Sequence, residues 1–241
     1  MKLSCTPISL SKTIRDGEMD VEGFIRFCGE MELDGVDLLD SQCYAWLWKD
    51  TRSEFSKVAK WLDQYGVKLA AYACGNNFAK LSDDDWRANV DIVVNAIEEA
   101  ATLGAPALRI FGGYHQDCGG EDGITQSSGF PKIIAGLERC LSVAENRGVI
   151  LALENHGRLP GHSYEIQAIL DHFKSPYLKC LFDCANFLAN NMDETEDPLV
   201  AYERLRGNVV HVHVKDWGKP VTNLERRVEG LLQRRPIEVG L

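Results

Sequence analysis

The run Val149-Ile150-Leu151-Ala152-Leu153-Glu154-Asn155-His156-Gly157 is apolar for its first five residues and polar for the next three. Val149 to Leu153 suits a strand buried on both faces of a parallel sheet. A carboxylate, an amide and an imidazole then arrive together at its C-terminal end, and a glycine lets the chain turn. Burying polar groups there is costly unless they bind something, so the strand end reads as a site. Two later runs repeat the pattern: Leu181-Phe182-Asp183-Cys184-Ala185-Asn186 and Val209-Val210-His211-Val212-His213-Val214-Lys215-Asp216. Three apolar strands ending in metal-type ligands make a constellation.

The rest of the chain alternates strand and helix around these three. Leu3 to Ile8 reads as a first strand, and Asp20 to Met31 as a helix with Val21, Phe24, Ile25, Cys28 and Met31 on one face. Gly35 to Leu39 is a second strand, followed by a loop carrying Tyr44, Trp46 and Trp48. Loop aromatics of this kind serve local packing more often than a substrate wall. Thr51 to Tyr65 forms a helix closed by Gly66, and Val67 to Tyr72 a third strand. Ser82 with Asp85 three residues on starts the next helix, which stops at Gly104. Pro106 to Phe111 is the fourth strand, and Pro131 opens a helix ending at Gly148. Tyr164 to Phe173, Lys179 to Phe182, Pro198 to Gly207 and Val209 to Val214 continue the alternation. Seven such units imply a parallel barrel or a doubly wound sheet. Polar residues at three consecutive strand ends favour the barrel, whose C-terminal face gathers strand ends around one centre. No linker or repeat interrupts the chain, so residues 1–241 are expected to form one domain.

Glu154, Asp183 and a histidine of the seventh strand offer two oxygens and a nitrogen. That set suits one divalent ion of the Mn, Mg, Co or Zn type and leaves positions open for substrate. His211 and His213 share a face because they are two apart. His213 lies nearer the strand's end and is the expected ligand; His211 sits one layer deeper, as a core histidine would. Taken singly, a strand-end acid usually caps a helix or pairs with a base. Three together form an acidic cluster that needs a cation. Asn186 is either a helix cap or a substrate hydrogen-bonder. Lys215 is either half of a surface ion pair or a group that stabilises an enolate.

Leu-Glu-Asn-His-Gly at 153–157, Asp-Cys-Ala-Asn-Phe at 183–187 and Val-His-Val-Lys-Asp-Trp at 212–217 resemble the xylose-isomerase-like sugar phosphate isomerase/epimerase family. The likeness covers nearly the whole chain, including Leu108 to Gly113 and Asn76-Asn77-Phe78. The resemblance implies a (β/α)8 TIM barrel with a divalent metal held by Glu154, Asp183, His213 and a second glutamate from the eighth strand. It places His156 beside the substrate as a catalytic group with Glu154, and Arg109, Asn186 and Lys215 among the substrate-binding residues. It implies a small sugar or polyol substrate and an enediolate mechanism of isomerisation or epimerisation. The family also holds inosose dehydratases, so a lyase is the alternative, as is a weakly active barrel that only binds a ligand.

The pattern departs at the C-terminus. Pro236-Ile237-Glu238-Val239-Gly240-Leu241 ends the chain where a glutamate-bearing eighth strand is expected. One reading is a barrel lacking its last β/α unit, with the first and seventh strands as open edges that favour a homo-oligomer. The other makes Asn223 to Arg234 a helix and Ile237 to Val239 the eighth strand, with Glu238 as fourth ligand. Three residues are short for a strand, which favours the first. The net charge of -10 argues against a nucleic-acid partner despite Arg226, Arg227, Arg234 and Arg235. Eight scattered cysteines without a CxxC pair suit buried thiols in a reducing cytosol. No leader and no membrane-length apolar run is visible, so a cytoplasmic protein is expected.

Overall fold

The computed structural model describes residues 2–80, 82–114, 129–156, 158–189, 195–215 and 239–240. Its elements in chain order begin with β1 (Ser4–Cys5), a 3-10 turn at Pro7–Leu10, α1 (Ser11–Arg15), α2 (Val21–Glu30) and β2 (Gly35–Leu39). Then come α3 (Thr51–Tyr65), β3 (Lys68–Ala73), α4 (Asp83–Leu103), β4 (Ala107–Phe111), β5 (Gly113–Tyr114) and α5 (Gly129–Arg147). They are followed by β6 (Ile150–Glu154), β7 (Arg158–Leu159), α6 (Ser163–Phe173), β8 (Leu178–Asp183) and α7 (Asn186–Ala189). The order closes with α8 (Pro198–Leu205), β9 (Val209–Val214) and β10 (Val239–Gly240).

β1, β2, β3, β4, β6, β8 and β9 run parallel as neighbours, and β10 stands between β9 and β1, antiparallel to both. The seven parallel strands match a TIM barrel lacking one β/α unit. The expected open edges are therefore met by a two-residue tail strand. Glu238 and the 223–234 helix lie outside the described residues. β5 and β7 form a separate two-stranded ribbon at the rim, which periodicity did not reveal.

Strand alternation sorts the core into two faces. Leu108, Ile110, Leu151, Leu153, Cys180 and Phe182 point outward into the large cluster beneath the helices. Ala107, Ala152 and Leu181 point inward and pack on one another. Two residues further along each of those three strands come Arg109, Glu154 and Asp183, so the inner face turns polar toward its C-terminal end.

Sharp stops keep these strands short. The Asp20 carboxylate accepts a hydrogen bond from Gly23 N at 2.9 Å to start α2. Gly66 and Gly104 adopt φ of 71° and 77°, the left-handed conformation that lets α3 and α4 turn into β3 and β4. The expected first strand from Leu3 to Ile8 is cut at Cys5. Pro7 cannot donate to a ladder, and Thr6 caps the 3-10 turn instead. Pro131 falls within the first turn of α5, which starts at Gly129. The described cysteines, apart from the exposed Cys43 and half-buried Cys184, are buried, and all are free thiols. Among the described residues no helix is long and apolar enough to cross a membrane.

Candidate metal centre

β6, β8 and β9 lie side by side, with Asp183 paired to His213 in register and Glu154 paired to Leu181. Parity and register together carry Glu154, Asp183 and His213 to one point on the inner face. Their ligand atoms all lie within 4.8 Å of one another. His213 Nδ1 is 3.7 Å from Glu154 Oε1 and 3.8 Å from Asp183 Oδ2. The three are 5% exposed or less. Ligands at ~2.1 Å around a tetrahedral ion stand ~3.4 Å apart. The two distances from His213 thus come within a few tenths of an ångström of that spacing, and all three donors lie within reach of one ion.

Each carboxylate is steered by neighbours. Asp183 Oδ1 accepts from the backbone N–H groups of Ala185 and Asn186, both at 3.1 Å, which leaves Oδ2 turned to the centre. Glu154 Oε1 accepts from Asn186 Nδ2 at 3.1 Å, and Glu154 Oε2 lies 3.4 Å from Arg109 Nε. Burial pushes the Glu154 carboxyl up, but His213 and Arg109 outweigh it and hold the group below the usual carboxylate range. Glu154 is an ion at neutral pH.

His156 stacks on the Phe111 ring with centroids 4.3 Å apart and meets the Tyr114 ring edge-on. Burial is the main reason its imidazole is held below its ordinary pKa; Arg109 and Lys215 add to that, against Glu154 and Asp183. It is neutral at pH 7, and its Nδ1 has no hydrogen-bond partner among the described residues. Arg109 lies over Phe111 at 4.1 Å, donates to Cys74 O at 2.7 Å and to the Tyr44 hydroxyl at 3.2 Å. Lys215 Nζ is 2.6 Å from Asp183 Oδ2, an ion pair rather than an aligned hydrogen bond, and donates to Asn186 Oδ1 at 3.2 Å. Asn186 is not the cap of a helix: it opens the short α7 with its own N–H bonded to Asp183 Oδ1, and its side chain faces Glu154 and Lys215.

All seven residues singled out in the sequence converge here, and the structure adds supports that the sequence did not reveal. Asn155 donates to Asp183 O and accepts from Asp183 N, both at 2.9 Å, pinning β6 to β8 beside Glu154 and Asp183. Tyr44 holds Arg109, whereas Trp48 packs locally and donates to Leu39 O at 2.8 Å. His211 Nε2 lies 2.9 Å from Asp37 Oδ2, so it is a partnered core histidine. The one available signal was Asn155's place inside Glu-Asn-His.

The class is a TIM barrel with its ionisable residues gathered at the C-terminal strand ends, where barrels of this kind build their sites. Residues 25–237 match the family model described as Xylose isomerase-like TIM barrel, and the chain belongs to that family. No curated protein matches it. Among solved structures, a D-tagatose 3-epimerase-like protein is similar at 17% identity over 95% of this chain and 87% of that one, with a TM-score of 0.71. A probable 3-DHS dehydratase from Bacillus anthracis is similar at 16% identity over 91% and 74%, with a TM-score of 0.71. A 3-keto-D-glucoside 4-epimerase from E. coli is similar at 12% identity over 89% and 83%, with a TM-score of 0.64. At such identities the likeness is one of fold.

Proposed function

We propose that the protein is a divalent-metal-dependent isomerase or epimerase of a sugar or polyol, working by proton transfer at a carbon next to a carbonyl. The observation that carries this reading is the convergence of Glu154, Asp183 and His213 on one buried point with Arg109 beside them. An ion of the Mn, Mg, Co or Zn type, when bound, would polarise a carbonyl and its neighbouring hydroxyl and acidify the C–H between them.

The chain's own groups divide the remaining work. Glu154, ionised at neutral pH, is the base that takes the proton. The neutral His156 imidazole, with its unpartnered Nδ1, is the second proton carrier. Arg109 and the Asn186 amide orient substrate oxygens. Phe111 and Tyr114, packed on His156, keep water from that side. The names of the epimerase relatives support a sugar substrate.

A lyase is the second reading, because the probable dehydratase is similar at the same TM-score as the epimerase-like protein. It uses the same abstraction and then expels hydroxide from the adjacent carbon. Incubating Mn-loaded protein with ketoses, aldoses and polyol ketones in D2O separates the two. Deuterium at the carbon next to the carbonyl without loss of water is the expected result. A conjugated dehydrated product would favour the lyase, and no exchange with any compound would overturn both.

A further inference from the structure

Lys215 stands where a metal ion would have to make one of its bonds. Asp183 has committed Oδ1 to the backbone of Ala185 and Asn186, so Oδ2 is the oxygen it can offer a cation. The Lys215 ammonium lies 2.6 Å from that same Oδ2, and only 12% of the side chain is exposed. Its position follows from strand parity: Lys215 is two residues beyond His213 and leaves β9 on the same face.

The charges of Lys215, Asp183, Glu154 and Arg109 are linked in one chain of contacts. Lys215 lies against Asp183 and donates to Asn186; Asn186 donates to Glu154; Glu154 faces Arg109. Two carboxylates are thereby matched by two cationic side chains. Adding a divalent ion at Asp183 Oδ2 brings it against an ammonium on the same oxygen, inside a buried site where water screens little. The ammonium has slack to move: its contact with Asp183 is poorly aligned and its side chain is flexible.

We infer that Lys215 is a built-in counter-cation that competes with the divalent ion for Asp183 Oδ2. The metal enters as the ammonium leaves, and Lys215 sets how tightly the ion is held. The inference rests on the metal reading of Glu154, Asp183 and His213. It makes Lys215 a positioning residue for the metal-free site, in addition to any contact with substrate.

The test is titration of chelator-stripped protein with Mn2+, read by calorimetry, alongside thermal unfolding with and without the ion. Lys215→Met is expected to bind Mn2+ at least about tenfold more tightly than wild type. Its metal-free form should melt lower than wild type, and the ion should raise its melting temperature by more. Lys215→Arg, which keeps the charge, should retain affinity near that of wild type. If Lys215→Met is insoluble, Lys215→Gln, polar but uncharged, reads the same quantity. Equal or weaker binding by the uncharged variants overturns the inference while leaving the metal reading intact. Absence of binding to wild type and variants alike overturns both.

Discussion

A carboxylate enclosed by strands is costly as an ion unless its charge is answered. Glu154 is answered twice, by His213 at 3.7 Å and by Arg109 at 3.4 Å. Its neighbour Asn186 fixes which oxygen faces which partner. Glu154→Gln keeps the shape but cannot take a proton at neutral pH, so turnover should fall by ~10²–10⁴. Circular dichroism of the same sample should show the fold kept. Retained turnover would move the base to His156. The cluster of Glu154, Asp183 and His213 was legible in the sequence because each ends an apolar run and strand alternation fixes which way it points. Their supports were not. Asp37 meets His211 across 174 residues of sequence, and Asn155 acts through the register of β6 on β8. Such contacts belong to pairs of strands, and neither strand encodes them alone.

At the level of elements, the chain announces most of its helices by their ends. Asp20, Asp50 and Ser82 each accept a backbone N–H at the start of a helix. Asp20 is held below the ordinary carboxylate pKa chiefly by the Gly23 N–H, with Lys49 assisting against burial. A folded-state pKa below the unfolded value means that the stabilisation is present above the unfolded pKa and is lost as pH falls through the folded one. Asp20→Ala should therefore cost about 1 kcal/mol at pH 7, and the gap should narrow once pH drops below ~4. Urea unfolding of both proteins at pH 7 and pH 3 measures it; an unchanged gap at pH 3 would assign the effect to shape rather than charge. The elements that the sequence hid lack such marks. The β5–β7 ribbon is two residues a side, too short for any period to register. The early stop of β1 depends on Pro7 lying where a ladder donor is required.

For the whole molecule the decisive feature is how the ring closes. Read from sequence, the chain lacks a last β/α unit and leaves its first and seventh strands open, which was the ground for expecting self-association. In the structure β10 reaches both: Ser4 pairs with Gly240 and Cys5 with Val239 on one side, and Val214 pairs with Val239 and His213 with Gly240 on the other. An antiparallel tail cannot be told from a parallel strand by composition, because both alternate with a period of two. The closure also bears on the site, since His213 belongs to the strand at the seam and its backbone partner is Gly240. Removing residues 239–241 strips both edges of their ladder partners and frees the end of β9. Exposed edges template pairing with other chains, so the shortened protein should form larger species than the full chain in light scattering. With His213 less firmly held, its affinity for Mn2+ should fall by about tenfold, since a loosened ligand must be ordered when the ion binds. A shortened chain of unchanged size and unchanged Mn2+ affinity would mean that β10 holds neither the seam nor the ligand.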